Sequence, residues 1–208
     1  MTKKGERTRQ VIVERAARVF NTKGYFGSSM GDLVTETGLK KGGIYNHFAS
    51  KEELALAAFD YAAGVMRERF EAALADREGA LERLYAVVDV LGDLADDPPV
   101  AGGCPVLNTA VESDDAHLAL KKRAQEAMTG WHRLIGSIIK EGTRVGELKP
   151  DADPYAVASV ITATLEGAVM LSKLYDDPSH MRRAVDHLKE YLNSLTRPQG
   201  IGERWSSR

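Results

Sequence analysis

The sequence predicts an all-α protein in which a small N-terminal unit of three helices precedes a larger helical body. Apolar residues recur at the three- and four-residue spacing of helices along most of the chain, and runs of β-branched residues are sparse. With 208 residues, the chain is long enough for a small domain attached to a larger one.

The first helix is predicted at residues 8–25. Its apolar positions follow one helical face, and its charged residues lie between them. These charges therefore belong to a folded helix and not to a solvated basic tail. The apolar positions are Val11, Ile12, Ala16, Val19 and Phe20.

Two short helices joined by a glycine turn are predicted within residues 28–48. Ser29 is suited to cap the first helix, and Gly38 stands where a left-handed cap ends it. Ile44 and Phe48 share the inner face of the second helix. Two helices around a tight turn have the outline of a DNA-binding helix-turn-helix, whereas an ordinary helical hairpin with a basic turn is the alternative.

The body begins with a long helix at Ser50, where Glu53 completes a capping box. Glycine and proline divide the residues that follow into further helices. The predicted helices of the body are 50–76, 80–94, 104–111, 115–142, 155–175 and 179–195. We expect one domain at 1–51, a second at 52–196, and a disordered tail rich in Pro, Gly and Ser at 197–208.

Charge is distributed unevenly between the two predicted domains. Residues 1–51 hold ten Lys and Arg against four acidic residues, a net charge of +6, whereas the rest of the chain carries −8. A basic head on an acidic body is the electrostatic pattern of a protein that meets a polyanion at one end only. The charge pattern therefore supports the DNA-binding hypothesis.

The amphipathic first helix is followed by SSMGDLVTETGLKKGGIYNHFASKEEL, with Tyr45, Phe48 and Ser50-Lys51-Glu52 inside it. Over about residues 8–59 the chain thereby resembles the TetR/AcrR-like family of one-component transcriptional regulators. The pair Gly42-Gly43 departs from the family pattern, because glycine is a poor helix former. The resemblance implies a ligand-responsive repressor that a small molecule releases from its DNA operator.

The resemblance and the helix geometry together assign the expected DNA contacts. Lys41 and Asn46 are expected to reach bases, whereas the side chains around them are expected to contact phosphates. The expected phosphate contacts are Ser29, Tyr45, His47 and Lys51, and Lys40 and Gly42 complete the predicted DNA-binding set.

The helix predicted at 155–175 is apolar around much of its circumference, so it must be buried on more than one side. The second partner is either another subunit or the rest of a monomeric bundle. Members of the family pack their last two long helices against the same pair of a second subunit, so the resemblance favours a homodimer. Its two heads would then reach successive major grooves of a near-palindromic operator.

An effector site is expected in the body, between helices that face one another. Glu166 is its most suggestive residue, because a carboxylate in an apolar stripe is costly unless it is paired or faces a cavity. Packing in the core is the alternative for every candidate. The predicted lining residues are Tyr61, Val65, Phe70, Tyr85, Cys104, Asn108, Met128, Trp131, His132, Glu166 and Met170.

Cys104 supports a different hypothesis. It follows two glycines and precedes Pro105 at a predicted helix start, where the helix dipole is expected to lower the pKa of the thiol. The protein would then be a repressor that senses electrophiles or oxidants, whereas burial as a small apolar residue is the alternative. Because it is the single cysteine, an intrachain disulfide and a cysteine zinc site are excluded.

Other function classes find less support in the sequence. Phosphate-binding glycine loops, zinc-protease helices and serine-hydrolase motifs do not occur, so we expect no enzyme and no cofactor. Asp114 and His117, like Asp177 and His180, have the spacing of metal ligands but lie at predicted helix starts, where an acid serves as a cap. A sequence-tolerant architectural DNA-binding protein, which needs the basic head but no pocket, is the alternative to a repressor.

No apolar run is expected to reach the roughly 18 residues that span a bilayer, and the N-terminus lacks the apolar segment of a secretory signal. We therefore expect a cytoplasmic protein that does not bind a membrane.

Overall fold

The computed structural model describes residues 3–197 of the chain. These residues form nine α-helices and no β-strand, and only Leu148 and Thr196 pair in an isolated bridge. The predicted all-α fold is thereby confirmed. The helices are α1 (Lys3–Lys23), α2 (Met30–Thr37), α3 (Lys41–Tyr45), α4 (Lys51–Leu74), α5 (Ala80–Gly92), α6 (Pro105–Ser113), α7 (Leu118–Val145), α8 (Pro154–Tyr175) and α9 (Ser179–Ser194).

The head consists of α1, α2 and α3, which pack with the first half of α4 around a core of their own. Ile12 of α1, Leu33 of α2 and Phe48 after α3 are buried in it. Each side chain of this size contributes roughly 1.5–3 kcal/mol when it is fully buried. A compact apolar centre therefore holds the three helices together.

Local hydrogen bonds fix the turn between α2 and α3. Ser29 caps α2, because its Oγ accepts from the Asp32 N–H at 3.1 Å and the Asp32 carboxylate accepts from the Ser29 N–H at 2.7 Å. Gly38 ends α2 with a φ of +69°, and its N–H donates to the Val34 carbonyl at 3.0 Å. A side chain at that φ would be strained. Arg15 of α1 supports the same corner by donating to the last two carbonyls of α2.

The body consists of α4 to α9 and surrounds a second apolar core. α4 enters both cores: Leu54 is buried in the head core, whereas Met66 and Phe70 are buried in the body core. α5 and α7 pack against α4 and α8, and α9 packs along α5 and α8. A movement of α4 therefore affects the head and the body together.

Several helix ends differ from the prediction. α3 ends at Tyr45, so His47 and Phe48 lie in the turn after it, because the two glycines in α3 each cost about 1 kcal/mol of helix stability relative to alanine. α1 begins at Lys3 and not at residue 8. α7 begins at Leu118 and not at residue 115, because the N-cap is His117.

The predicted tail meets the described structure only at its first residue. The Arg197 N–H donates to the Glu147 carbonyl at 3.0 Å, so that residue is anchored to the body. Residues 198–208 of the expected tail lie outside the described residues.

α8 corrects the expectation about apolar runs. It is the one helix within residues 3–197 that is long and apolar enough to span a membrane by length and composition, with a mean hydropathy of 1.4. Half of that apolar window is buried inside the body, and α8 also carries Glu166 and Lys173. A core helix passes the same test of length and composition, so the apolar character of α8 is consistent with its packing.

Candidate DNA interface and effector site

Six of the eight residues predicted to contact DNA lie in α3 or directly beside it, within residues 40–47. Ile44 is buried beneath α3 and fixes which face points outward. Lys41 and Tyr45 lie together on that face, with the Lys41 ammonium 5.8 Å from the centre of the Tyr45 ring. His47 is half-buried, and the exposed members are Lys40, Lys41, Gly42, Tyr45 and Asn46.

Two other predicted DNA contacts already have partners in the fold. The Ser29 hydroxyl donates to the Asp32 carboxylate at 2.6 Å as part of the α2 cap. The Lys51 ammonium donates to the carbonyls of Tyr25 and Ser28, and burial lowers the pKa of Lys51. Lys51 therefore holds the α1–α2 loop against α4 and keeps one of its three N–H groups for another acceptor.

A polar contact joins the end of α1 to the start of α6. The Asn108 side-chain nitrogen lies 2.9 Å from the Asn21 side-chain oxygen, and the Asn21 nitrogen lies 3.0–3.2 Å from three carbonyls of the α5–α6 loop. Gly102 permits this approach, since its φ is +116° and a Cβ there would lie 2.4 Å from the Asn21 carbonyl oxygen. Because Asn21 is buried and hydrogen-bonded, this contact fixes the position of the end of α1 relative to α6.

Glu112 of α6 adds a second tie to the head. Its carboxylate accepts from the N–H groups of Tyr25 at 2.6 Å and Phe26 at 2.8 Å, in the α1–α2 loop. Hydrogen bonds to a charged acceptor are roughly twice as strong as neutral ones. We call Asn21, Asn108 and Glu112 the head–body bridge. Because α6 supplies two of these residues, a displacement of α6 acts directly on the head.

One open groove, of about 520 Å³, lies between α4 and α7. Phe70 and Trp131, both predicted to line an effector site, meet edge-on in its floor with ring centres 5.7 Å apart. Its rim carries two arginines, and both are paired with neighbouring carboxylates. The pairs are Arg123 with Asp60 at 3.5 Å and with Glu126 at 3.8 Å, and Arg67 with Glu71 at 3.7 Å.

A second groove, of about 850 Å³, lies between the end of α1, α6 and α8 and brings together the predicted residues Asn108, Glu166 and Met170. Glu166 is only 7% exposed. Its Oε1 accepts from the Cys104 thiol at 3.0 Å, whereas its Oε2 has no hydrogen-bond partner among the described residues. Burial raises the pKa of Glu166 to about 7, and the bond from Cys104 opposes that rise.

For Cys104 the structure supports the alternative of a buried thiol, and the expected lowering of its pKa is wrong. Burial raises the pKa of its thiol well above the ordinary value, and the Glu166 carboxylate raises it further. The Leu107 N–H donates to the sulfur at 3.4 Å, and this helix-start contact lowers the pKa by less than burial raises it. A thiol that stays protonated is a weak nucleophile, so the structure gives no support to electrophile sensing.

The remaining predicted effector residues do not lie in these two grooves. Tyr61 faces the charged side of α1, and the Tyr85 hydroxyl donates to a backbone carbonyl of α9 at 3.5 Å. His132 lies in a shallow depression between α7 and the start of α8. Met128 is half-buried against the body core, and Val65 is half-buried on α4. The candidate residues therefore do not lie around a single groove in this structure.

Sequence reasoning missed Asn21 and Glu112. Each is an ordinary polar residue of a helix in the sequence, and its partners lie 79 to 87 residues away along the chain. The pair Gly102-Gly103 is the one local signal, because adjacent glycines with positive φ often mark a close approach of two backbones. Within residues 3–197, no group of three or more His, Cys, Asp or Glu side chains is placed to hold a metal ion.

Comparison with known proteins gives the same assignment for both domains. Residues 12–58 match the model of the bacterial regulatory proteins of the tetR family, and residues 80–188 match that of the tetracyclin repressor-like C-terminal domain. The second match alone spans more than half of the chain.

Two solved structures and one curated relative are similar over most of their length. A TetR transcriptional regulator from Chloroflexus aurantiacus is 43% identical, with 94% of this chain and 99% of that chain covered and a TM-score of 0.91. A TetR-family regulator from Cytophaga hutchinsonii is 35% identical, with 96% and 100% covered and a TM-score of 0.86. The fatty acid metabolism regulator protein of Bacillus subtilis is 26% identical, with 76% of this chain and 79% of that protein covered. The chain therefore belongs to the TetR family of bacterial regulatory proteins, and it is a DNA-binding helix-turn-helix transcriptional regulator.

Proposed function

We propose that the protein is a cytoplasmic homodimeric repressor, without catalytic activity, that binds a near-palindromic operator through its two heads. A small molecule that enters the body releases it from that operator. The head–body bridge carries this proposal, because it joins α6 of the body to the loop that begins the helix-turn-helix. An architectural DNA-binding protein would have no need of such a connection.

In this proposal α3 enters the major groove with its exposed face. Lys41 and Asn46 contact bases, because a lysine and an asparagine both match base edges there. Tyr45 and His47 contact phosphates, Lys40 adds positive charge, and Gly42 allows the backbone to approach closely. Ser29 and Lys51 act mainly by holding the α1–α2 loop, and each is also close enough to the surface to meet a phosphate.

The homodimer forms through α8 and α9. α8 has an outward face of small and apolar side chains, among them the exposed Tyr155, Val160 and Leu174. A Cβ built on Gly167 meets nothing within 4 Å, so this face leaves room for a second helix to approach. The outer face of α9 carries both signs of charge, which suits pairing with a second copy of itself. The outer-face residues of α9 are Arg182, Arg183, Asp186, His187 and Glu190.

Release requires that the effector bind more tightly to a state in which the two recognition helices no longer match the operator spacing. Two helices of the body could transmit a displacement from the effector to the head. α4 enters both cores, and α6 is tied to the head through Asn108 and Glu112. An effector that displaces either helix therefore rotates or shifts the head.

Binding of the purified protein to the DNA that flanks its own gene tests the proposal. We expect tight binding to one near-palindromic segment and much weaker binding to a scrambled competitor, at two salt concentrations. Asn46→Ala should cost about 1–3 kcal/mol on that segment only, whereas Lys40→Ala should weaken binding to all sequences and flatten the salt dependence. Equal, salt-sensitive binding to both DNAs would instead support an architectural protein.

Sedimentation of two glycine variants tests the dimer. Gly167→Gln should weaken self-association, because the new side chain occupies the space into which the second α8 packs. Gly130→Gln on α7 is the matched control, since a Cβ there also meets nothing within 4 Å. If both variants sediment like the wild type as dimers, the interface does not include this face of α8.

A further inference from the structure

The groove between α1, α6 and α8 is bordered by a buried carboxylate that the fold satisfies only in part. Glu166 is 7% exposed, and its Oε2 accepts no hydrogen bond from the described residues. A buried carboxylate oxygen without a donor destabilises the folded state. Such a group persists in a pocket when it serves a ligand, and Glu166 lines this groove.

The other charged groups of the groove do not pair with Glu166. The Glu112 carboxylate is occupied by two backbone N–H groups. The Lys173 ammonium donates to the Gly102 carbonyl and forms no ion pair with Glu166. The remaining walls are largely apolar, from Leu107 and Val111 of α6 and from several residues of α8. A ligand here meets largely apolar walls, the charged groups of Glu112 and Lys173 with their hydrogen-bond partners, and the Oε2 of Glu166, which has no partner among the described residues.

We propose that this groove binds an apolar small molecule with a cationic ammonium group, and that the ammonium pairs with Glu166. The inference rests on the proposed function, since it names the chemical class of the effector. A cation supplies what the structure lacks at Oε2, a positive partner in a site that water reaches poorly. A carboxylate or phosphate would face Glu166 as a like charge.

Glu166 also connects the groove to the head. Its Oε1 accepts from the thiol of Cys104, the N-cap residue of α6, and the same helix carries Asn108 and Glu112. A cation that draws the Glu166 carboxylate toward itself weakens that bond at the start of α6. The displacement reaches the α1–α2 loop through the head–body bridge.

The α8 residues that border the groove also belong to the face on which we expect the second subunit. Gly167, Met170 and Leu174 line the groove and lie on that outward face. The partner's α8 therefore lies near the mouth of the groove, and binding must be measured on the intact dimer. If the second copy fills the groove, no probe binds there and the proposal is wrong.

Equilibrium dialysis with a matched pair of probes tests the site. Benzyltrimethylammonium carries the charge, and neopentylbenzene is its uncharged isostere. We expect the wild-type dimer to bind the cation at least about tenfold more tightly than the isostere, because unlike charges attract more strongly in a buried site than in water. Equal binding of the two probes, or no binding of either, would overturn the proposal.

Three variants test whether Glu166 causes the preference for the cationic probe over the isostere. Glu166→Gln should bind both probes alike, and Glu166→Asp should keep part of the preference because it keeps the charge. Glu78→Gln, an exposed carboxylate in the α4–α5 loop, should behave like the wild type. Circular dichroism checks that each variant is folded. A cation preference that survives in folded Glu166→Gln would show that another group holds the ammonium.

The same probes added to the complex with operator DNA separate this inference from the proposed function. If the cation releases the protein from operator DNA and the isostere does not, both the cation site and the proposed function are supported. If the cation binds but the protein stays on the operator, the groove is a cation site but not the effector site. If the protein binds no operator at all, the proposed function fails, and the dialysis result still decides whether the groove binds cations.

Discussion

The two grooves of the body both have apolar walls, but the charged side chains are paired in one groove and not fully paired in the other. Between α4 and α7, each arginine of the rim lies within 4 Å of a carboxylate, so the charges largely neutralise one another. Between α1, α6 and α8, Glu166 has only the Cys104 thiol as a partner among the described residues. A groove with paired charges selects ligands mainly by shape, whereas a groove with an unpaired charge also selects by charge.

The grooves also differ in what lies beneath them. The floor of the α4–α7 groove contains Phe70 and Trp131, which belong to the body core. The α1–α6–α8 groove is bordered by the half-exposed Met170 and by the head–body bridge. A change in the first groove should therefore affect mostly stability, and a change in the second should affect mostly the connection to the head.

The largest effect is expected for Trp131→Ala. The side chain is 7% exposed and packs edge-on against Phe70, so its removal leaves a cavity in the body core. We expect a loss of about 3–5 kcal/mol in the free energy of unfolding. Urea denaturation followed by circular dichroism measures it.

Val111→Ala is the matched test in the other groove. Val111 is 69% exposed and lies on α6, away from the helices on which we expect the second subunit, so the expected change is within about 0.5 kcal/mol. If the two substitutions lower the free energy of unfolding equally, the two grooves do not differ in how far their lining residues contribute to stability.

The next largest effect is the pH dependence that Glu166 confers. Its pKa is raised from 4.5 to about 7 in the folded state by burial, so the folded protein binds more protons than the unfolded chain between these values. Stability should therefore fall as the pH rises from about 4.5 to 7 and then level off. Relative to Glu166→Gln, the wild type should lose about 2–3 kcal/mol between pH 4.5 and pH 8, measured by urea denaturation at each pH.

Glu126→Gln in the rim of the α4–α7 groove is the control for that measurement. Its carboxylate is exposed and paired only with Arg123 at 3.8 Å, so its difference from the wild type should stay within about 0.5 kcal/mol at every pH. A pH-independent difference between the wild type and Glu166→Gln would mean that Glu166 is not held in a site that disfavours its charge.

Much of the head could be predicted from the sequence because its determinants are local, although α1 begins earlier and α3 ends earlier than predicted. The Ser29 cap and the Gly38 turn each depend on neighbours within a few positions. Glu166 could be singled out because a charge inside an apolar stripe is itself a local signal. The bridge from Asn21 to α6 was not predictable, since it depends on how two distant helices meet. Whether Cys104 is reactive or buried could not be decided from the sequence for the same reason, because its surroundings include Glu166 of the distant α8.

A smaller effect is expected from Glu112→Gln in the head–body bridge. The two bonds to the Tyr25 and Phe26 N–H groups lose their charged acceptor, at a cost of about 1 kcal/mol for a half-buried group. Hydrogen exchange at these two amides should become faster. The exchange of amides in the core of α5 should stay unchanged unless the variant loosens the whole fold, in which case the bridge is not a local connection.

The smallest effect is expected in the rim of the α4–α7 groove. Arg123 and Asp60 are each about half exposed, and their charged atoms lie 3.5 Å apart, so water and salt screen the pair. A double-mutant cycle with Arg123→Ala and Asp60→Ala should give a coupling below about 0.5 kcal/mol, and raising the salt concentration should reduce it further. A coupling of about 2 kcal/mol or more would mean that the charges of this rim interact as strongly as buried charges do. Both grooves would then discriminate ligands by charge, and the choice of the α1–α6–α8 groove as the site of a cationic effector would lose its main argument.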